Sequence, residues 1–310
     1  MSTTSHVADR LSASIAATGS IACVGLDPRP ELLPPTLRAK HGAGPQSVAD
    51  AFVEFNHAII SAVAGQCAAV KPQAACYEAY GAAGWDALER TVALARDAGI
   101  PVIADAKRGD MGSTALHYRQ AFFGGAPDLH GDIHGGMHVD WLTTHGYLGA
   151  DTINSQSADG GGLFVLVKTS NPTSVDLQDT PSGDRTVWAT MADLVHTWGA
   201  ERLGACGLSS IGAVVGATFP TEAAELRTLM PNTVFLVPGY GAQGGTAADA
   251  IAGRRPAAGS MESAGLLVSS SRGIIGAWRS AETDDWAGAA RDALASMNRA
   301  LDNAMDGLER

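Results

Sequence analysis

The sequence predicts an α/β fold: a (β/α)8 barrel with eight parallel strands, insertions after strands three and seven, and a single domain over residues 1–310. Three observations predict it. About eight short apolar runs alternate with helix-like stretches, the pattern of a parallel sheet with helical crossovers. Charged or glycine-rich residues recur just after those runs, where a barrel places its active site. Finally, Leu26-Asp27-Pro28-Arg29-Pro30, after the first run, lacks the Gly-rich fingerprint expected of a doubly wound sheet.

Val7–Thr18 is a short opening helix and Ser20–Leu26 the first strand. Ser47 is the expected cap of a helix whose apolar positions, Val48, Phe52, Phe55, Ile59 and Val63, fall at helical spacing. Ala68–Val70 is strand two and leads into Lys71-Pro72. Trp85, Leu88, Val92 and Ala95 mark a helix ended by Gly99. Ile100–Lys107, apolar and entered through Gly99 and Pro101, is strand three. A helix follows over Gly112–Phe123, and Gly124–His138 is a Gly/His-rich inserted loop.

Strands four, five and six are Asp140–Thr144, Leu163–Thr169 and Ala213–Ala217. Between the last two lies a helix over Val187–Trp198, with Met191, Leu194 and Val195 on its apolar side. Thr221 is expected to cap a helix to Leu229, with Glu222 favouring the positive end of its dipole. Thr233–Val237 is strand seven; the Gly253–Gly259 stretch reads as a surface loop before strand eight, Gly265–Ser269. An amphipathic helix over Asp284–Leu308 closes the chain.

Composition limits function. Charged residues make up 17 % and hydrophobic ones 45 %, the balance of a globular protein. The net charge of −11 argues against nucleic acid and anionic membrane surfaces as partners. An anionic substrate therefore needs a local positive pocket. Cys23, Cys67, Cys76 and Cys206 show no zinc-ligand spacing and read as buried thiols of a cytoplasmic protein. Met1 to Ser20 has no signal-peptide apolar core, and no apolar run is long enough to span a membrane.

The chemistry collects at the strand ends. Asp105-Ala106-Lys107-Arg108-Gly109-Asp110 closes strand three, and the two-residue period of a strand places Asp105 and Lys107 on one face. Asp27 ends strand one and Lys71 ends strand two. Such alternating charges are costly to bury unless they pair or do chemistry, and a structural ion pair is the competing reading. Carboxylates on either side keep a lysine protonated, which suits it to stabilising a carbanion and then protonating it. The loops Pro238–Gly245 and Ser269–Gly273, after strands seven and eight, suit a phosphate: glycines expose backbone N–H groups and Arg272 supplies a bidentate clamp. Gly-rich turns also serve simply as connections.

Together these motifs resemble the orotidine 5′-monophosphate decarboxylase family over roughly Ile21 to Trp278: Asp-x-Lys-x-x-Asp after strand three, Lys71, Asp27, Pro-Gly-x-Gly-x-Gln-Gly-Gly and Ser-Arg-Gly. Val-Lys-Pro-Gln and Lys-Thr-Ser-Asn-Pro are similar to its longer bacterial branch. The resemblance implies a barrel enzyme free of cofactor and metal, a homodimer with shared sites that turns orotidine monophosphate into uridine monophosphate in pyrimidine synthesis. It implies a catalytic set of Lys71, Asp105, Lys107 and Asp110, with Lys107 acting at C6 of the pyrimidine. Asp110 and Thr114 would reach the neighbouring subunit's site, and Asp27 and Lys71 the ribose hydroxyls. Ser170 would meet the pyrimidine amide edge, Gln243 would bridge base and phosphate, and Arg272 and Gly273 would hold the phosphate. The Gly239–Gly245 loop would be the lid. One departure is Thr144-His145-Gly146-Tyr147, where the branch carries an Asn-Pro-Tyr-like turn.

Three rival readings share these residues. Lys168-Thr169-Ser170 resembles the Schiff-base strand of some barrel aldolases, which would make Lys168 a lysine-imine nucleophile on a sugar phosphate. A magnesium-dependent sugar-phosphate decarboxylase also shares Asp-x-Lys-x-x-Asp. A phosphoribosyl-ligand binding protein without turnover is the third. His130, His134 and His138 recur every four residues, but the glycines among them point to a solvated loop and not a metal site.

Overall fold

The computed structural model describes residues 5–256 and 259–307. Eight parallel strands form the barrel: β1 Ala22–Leu26, β2 Ala69–Pro72, β3 Ile103–Arg108, β4 Trp141–Thr144, β5 Gly162–Lys168, β6 Ile211–Val215, β7 Phe235–Val237 and β8 Leu266–Ser270. Their order is β2-β1-β8-β7-β6-β5-β4-β3. The ring closes between β2 and β3 through two isolated bridges, Val70 to Val102 and Gln73 to Asp105. The strands are buried nearly throughout because helices cover the outside of the barrel, which is why they read as continuous apolar runs.

The inner end of the barrel is filled by large rings. Trp141 of β4 stacks on Phe164 of β5 with centroids 4.5 Å apart. On the outer wall, the helix Pro45–Val63 buries Phe52, Phe55 and Ile59 at helical spacing. The closing helix Trp286–Asp306 buries Ala290, Leu294, Met297 and Leu301 against it; its expected end at Leu308 lies outside the described residues.

Several boundaries differ from expectation for clear reasons. Pro45 and Pro220 take the first positions of their helices, so Ser47 and Thr221 lie inside the first turn and do not cap it. Proline fits there because its φ is preset and its missing N–H is not needed. In the helix Val187–Gly199 the inward stripe is Trp188, Ala189, Ala192, Val195 and Gly199, which leaves Leu194 40 % exposed. The inserted Gly124–His138 segment carries a small antiparallel ribbon, Ala126–Pro127 against Ile133–His134. Its turn is held by Asp128, which accepts hydrogen bonds from the His130 and Asp132 backbone N–H groups. Of the four cysteines, Cys23 and Cys67 are buried, whereas Cys76 and Cys206 are only partly so. Burial pushes the Cys23 thiol up to about 12.

Candidate active site

The C-terminal ends of the strands open onto a cavity of about 730 Å³. Parallel register sets its walls: Gly25 of β1 pairs with Lys71 of β2, so Asp27 and Lys71 leave their strands at neighbouring levels. Asp27, Lys71, Asp105, Lys107, Ser170, Gln243 and Arg272 all line it. With Arg29, four cationic side chains face two carboxylates there, a positive pocket inside a chain of net charge −11.

Asp105 is the hub. Lys71 Nζ donates to its Oδ2 at 2.6 Å, and Lys107 Nζ to its Oδ1 at 2.6 Å. Gln73 Nε2 donates to Oδ2 at 3.0 Å and Thr143 Oγ1 to Oδ1 at 2.9 Å. Burial works to raise the Asp105 pKa, but the two lysines outweigh it and hold the carboxyl far below the usual range. Burial likewise works to lower Lys71, and the Asp105 and Asp27 carboxylates overcome it, so Lys71 is held above the ordinary lysine value. The Lys71 and Asp105 side chains are 7 % and 9 % exposed, whereas Lys107 is 47 % exposed on the open side of the cavity. Lys71 is thus largely buried in the cavity wall, whereas Lys107 stands out into the open space. Among the described residues the buried Asp27 Oδ1 has no hydrogen-bond partner, although buried acceptors ordinarily have one.

Asp105 and Lys107 do meet, but not through a regular pleat. Lys107 has φ +49°, the left-handed region, and the β3–β4 register jumps from Ala104–Leu142 to Arg108–Thr144. Such a conformation costs a non-glycine residue on the order of 1–3 kcal/mol and clusters at functional sites. The turn beyond it is tight as well: a Cβ on Gly109 would stand 2.2 Å from His145 Nε2, so any larger residue there would have to displace the imidazole after β4.

On the opposite wall, the Gly239–Gly245 loop folds back on itself. Gly245 N–H donates to the Gly239 carbonyl at 3.1 Å, and Gly241 N–H to the Gly245 carbonyl at 2.8 Å. Gly239, at φ +100°, passes so close to Ser170 that a Cβ would lie 3.1 Å from the serine Cβ. Gln243 and Arg272 are exposed at the rim. Ser269, Ser270 and Ser271 continue the rim beside Arg272, and the exposed Gly273 follows it in the short helix Arg272–Ile275, next to the lining residues and not one of them.

Asp110 and Thr114 lie away from this chain's cavity. Asp110 Oδ1 accepts from the Met111 N–H at 2.7 Å, and Thr114 is exposed on the helix Gly112–Phe122. Lys168 is also absent from the cavity wall. It is fully buried, donates to Asp179 Oδ1 at 2.5 Å, and stands 4.1 Å from the Phe219 ring centroid. An amine so enclosed is poorly placed to attack a carbonyl in the cavity. The exposed histidines of the insertion do not gather: among the described residues no group of three or more His, Cys, Asp or Glu side chains is arranged to hold a metal.

The sequence reading did not single out Gln73, Thr143, Arg29 or Tyr240 as cavity residues. Gln73 had a signal, since it stands two residues after Lys71 at a strand end. Thr143 had none, because its role depends on the irregular pairing of β3 with β4.

Residues 21–283 match the family model described as orotidine 5′-phosphate decarboxylase / HUMPS family. The chain is 43 % identical over 306 residues to the orotidine 5′-phosphate decarboxylase of Rhodopirellula baltica, covering 95 % of this chain and 98 % of that protein. It is 41 % identical over 285 residues to that of Haloarcula marismortui, covering 90 % of each chain. Among solved structures, Leishmania donovani OMP decarboxylase superposes with a TM-score of 0.72 at 31 % identity, covering 96 % of this chain and 98 % of that one. Full-length similarity and a barrel whose mouth gathers Asp27, Lys71, Asp105 and Lys107 agree: the chain belongs to the orotidine 5′-phosphate decarboxylase / HUMPS family.

Proposed function

We propose that this protein is a carboxy-lyase that converts orotidine 5′-monophosphate to uridine 5′-monophosphate and carbon dioxide in pyrimidine synthesis. The observation that carries the reading is the Asp105 carboxylate fixed between Lys71 and Lys107, with Lys107 facing the open cavity and Arg272 at its rim. Decarboxylation leaves an electron pair on C6 of the pyrimidine. The Lys107 ammonium stabilises that charge and then delivers a proton to the same carbon, and solvent restores the lysine. Asp105 pairs with both lysines, keeps Lys71 above its ordinary value, and places negative charge beside the departing carboxylate. No step needs a cofactor.

Asp27 and Lys71 bind the ribose hydroxyls, Ser170 meets the pyrimidine amide edge, and Gln243 links base to phosphate. Arg272 and the Gly273 backbone hold the phosphate. Phosphate binding, remote from C6, supplies energy for closing the Gly239–Gly245 loop over the substrate. Asp110 and Thr114, which lie off this chain's own cavity, complete the site of a second subunit in a cytoplasmic homodimer.

Ultraviolet absorbance of the purified protein with orotidine monophosphate tests the reaction. Loss of the orotate chromophore, unchanged by EDTA, is expected. An unchanged spectrum with folded protein would overturn the proposal.

A further inference from the structure

We propose that Thr143 is the positioning residue that fixes Lys107 for catalysis; this rests on the reading of Lys107 as the proton donor. Between the paired residues Ala104–Leu142 and Arg108–Thr144, β3 carries Asp105, Ala106 and Lys107 while β4 carries Thr143 alone. Three residues oppose one, which makes this a bulge. Bulges beside active sites re-aim side chains, and they leave backbone groups without ladder partners.

Thr143 supplies the missing partner with its side chain. Its hydroxyl accepts the Lys107 N–H at 2.9 Å and donates to Asp105 Oδ1 at 2.9 Å. One oxygen therefore fixes both the left-handed backbone of Lys107 and the carboxylate that its Nζ reaches at 2.6 Å. Both bonds use the hydroxyl in a single orientation, because its one proton is committed to the carboxylate and a lone pair to the amide. Thr143 is only 1 % exposed, so in the intact wall its hydroxyl is shielded from bulk water. Without it the Lys107 N–H loses its acceptor, and the backbone loses a hydrogen bond that offsets the cost of a positive φ. The backbone then relaxes and carries the ammonium away from its station.

Thr143→Val keeps the branched shape but removes both bonds; Thr143→Ser keeps the hydroxyl and removes the methyl. Misplacement of a reacting group costs up to about 100-fold in rate. The valine variant is expected to lose about 10- to 100-fold in kcat with uridine monophosphate affinity held within about 3-fold, and the serine variant to stay within about 3-fold of the parent. Hydrogen exchange at the Lys107 amide should quicken in the valine variant and not in the serine one. If the valine chain does not fold, Thr143→Ala takes its place with the same expectations. A kcat within about 2-fold of the parent, a serine variant as impaired as the valine one, or a loss confined to nucleotide affinity would each overturn the assignment. Lys107→Ala measured alongside separates the two ideas. Retained turnover there rejects the proton-donor reading, whereas the amide exchange still reports on Thr143.

Discussion

Lys107 Nζ lies 2.6 Å from Asp105 Oδ1 even though the backbone between the two residues departs from strand geometry at Lys107. The pair is thus made by a local distortion, and it leaves the lysine half-exposed while the aspartate stays buried. Chemistry assigned to Lys107 then separates from binding. Lys107→Ala should cut turnover by at least about 1000-fold, within the range of positioned proton donors and charge stabilisers, while uridine monophosphate still binds. Steady-state kinetics and calorimetry check this, and near-normal turnover would refute the role.

Arg272 stands at the rim after β8, on a different strand end from either lysine. A charge-assisted hydrogen bond contributes about 1.5–3 kcal/mol. Arg272→Ala should weaken phosphorylated ligands about 10- to 100-fold and leave the unphosphorylated nucleosides nearly unchanged. Equal losses for uridine and uridine monophosphate would remove the phosphate from this position.

Subunit mixing addresses Asp110, whose carboxylate caps the Met111 N–H and does not face its own chain's cavity. Inactive Lys107→Ala and Asp110→Ala proteins, mixed under conditions of verified exchange, should recover up to about a quarter of parent activity per site, the statistical share of intact sites in random pairs. No recovery would confine each site to a single chain.

The buried Lys71–Asp105 pair also sets a pH dependence. Asp105 is depressed in the folded protein relative to an ordinary value of 3.8, so its contribution is complete above that value and falls away as pH drops toward the lower folded pKa. Lys71 is raised above 10.5, so its contribution is complete below that value and is lost only as pH rises further. Between about pH 5 and pH 9 the pair is therefore constant. Thermal unfolding midpoints of the parent should drop below about pH 4, and Asp105→Asn should be less stable at pH 7 with a shallower acid decline. An identical acid slope in both proteins would show that the pair does not set it.

Much of this was legible in the sequence because it depends on local pattern. The strands are short apolar runs, and the charged residues sit at the position where parallel strands deliver them to a common mouth. Asp27, Lys71, Asp105, Lys107, Ser170, Gln243 and Arg272 are all gathered there. Geometry made between strands was not legible. Thr143 lies opposite a bulge, which no period reveals, and Lys168 resembles a strand-end nucleophile until its burial against Asp179 and Phe219 is seen. Helix starts were displaced where proline took the first position and made a neighbouring Ser or Thr unnecessary as a cap.

The two isolated bridges between β2 and β3 are the thinnest stretch of the barrel wall. The Lys71 and Gln73 bonds to Asp105 cross that same stretch, and Thr143 ties the next strand to the same carboxylate. The charged cluster is therefore also a rivet over the seam where the cylinder would unzip. Sequence drift at this point is constrained twice over: a substitution that retunes the electrostatics loosens the vessel in which the chemistry takes place.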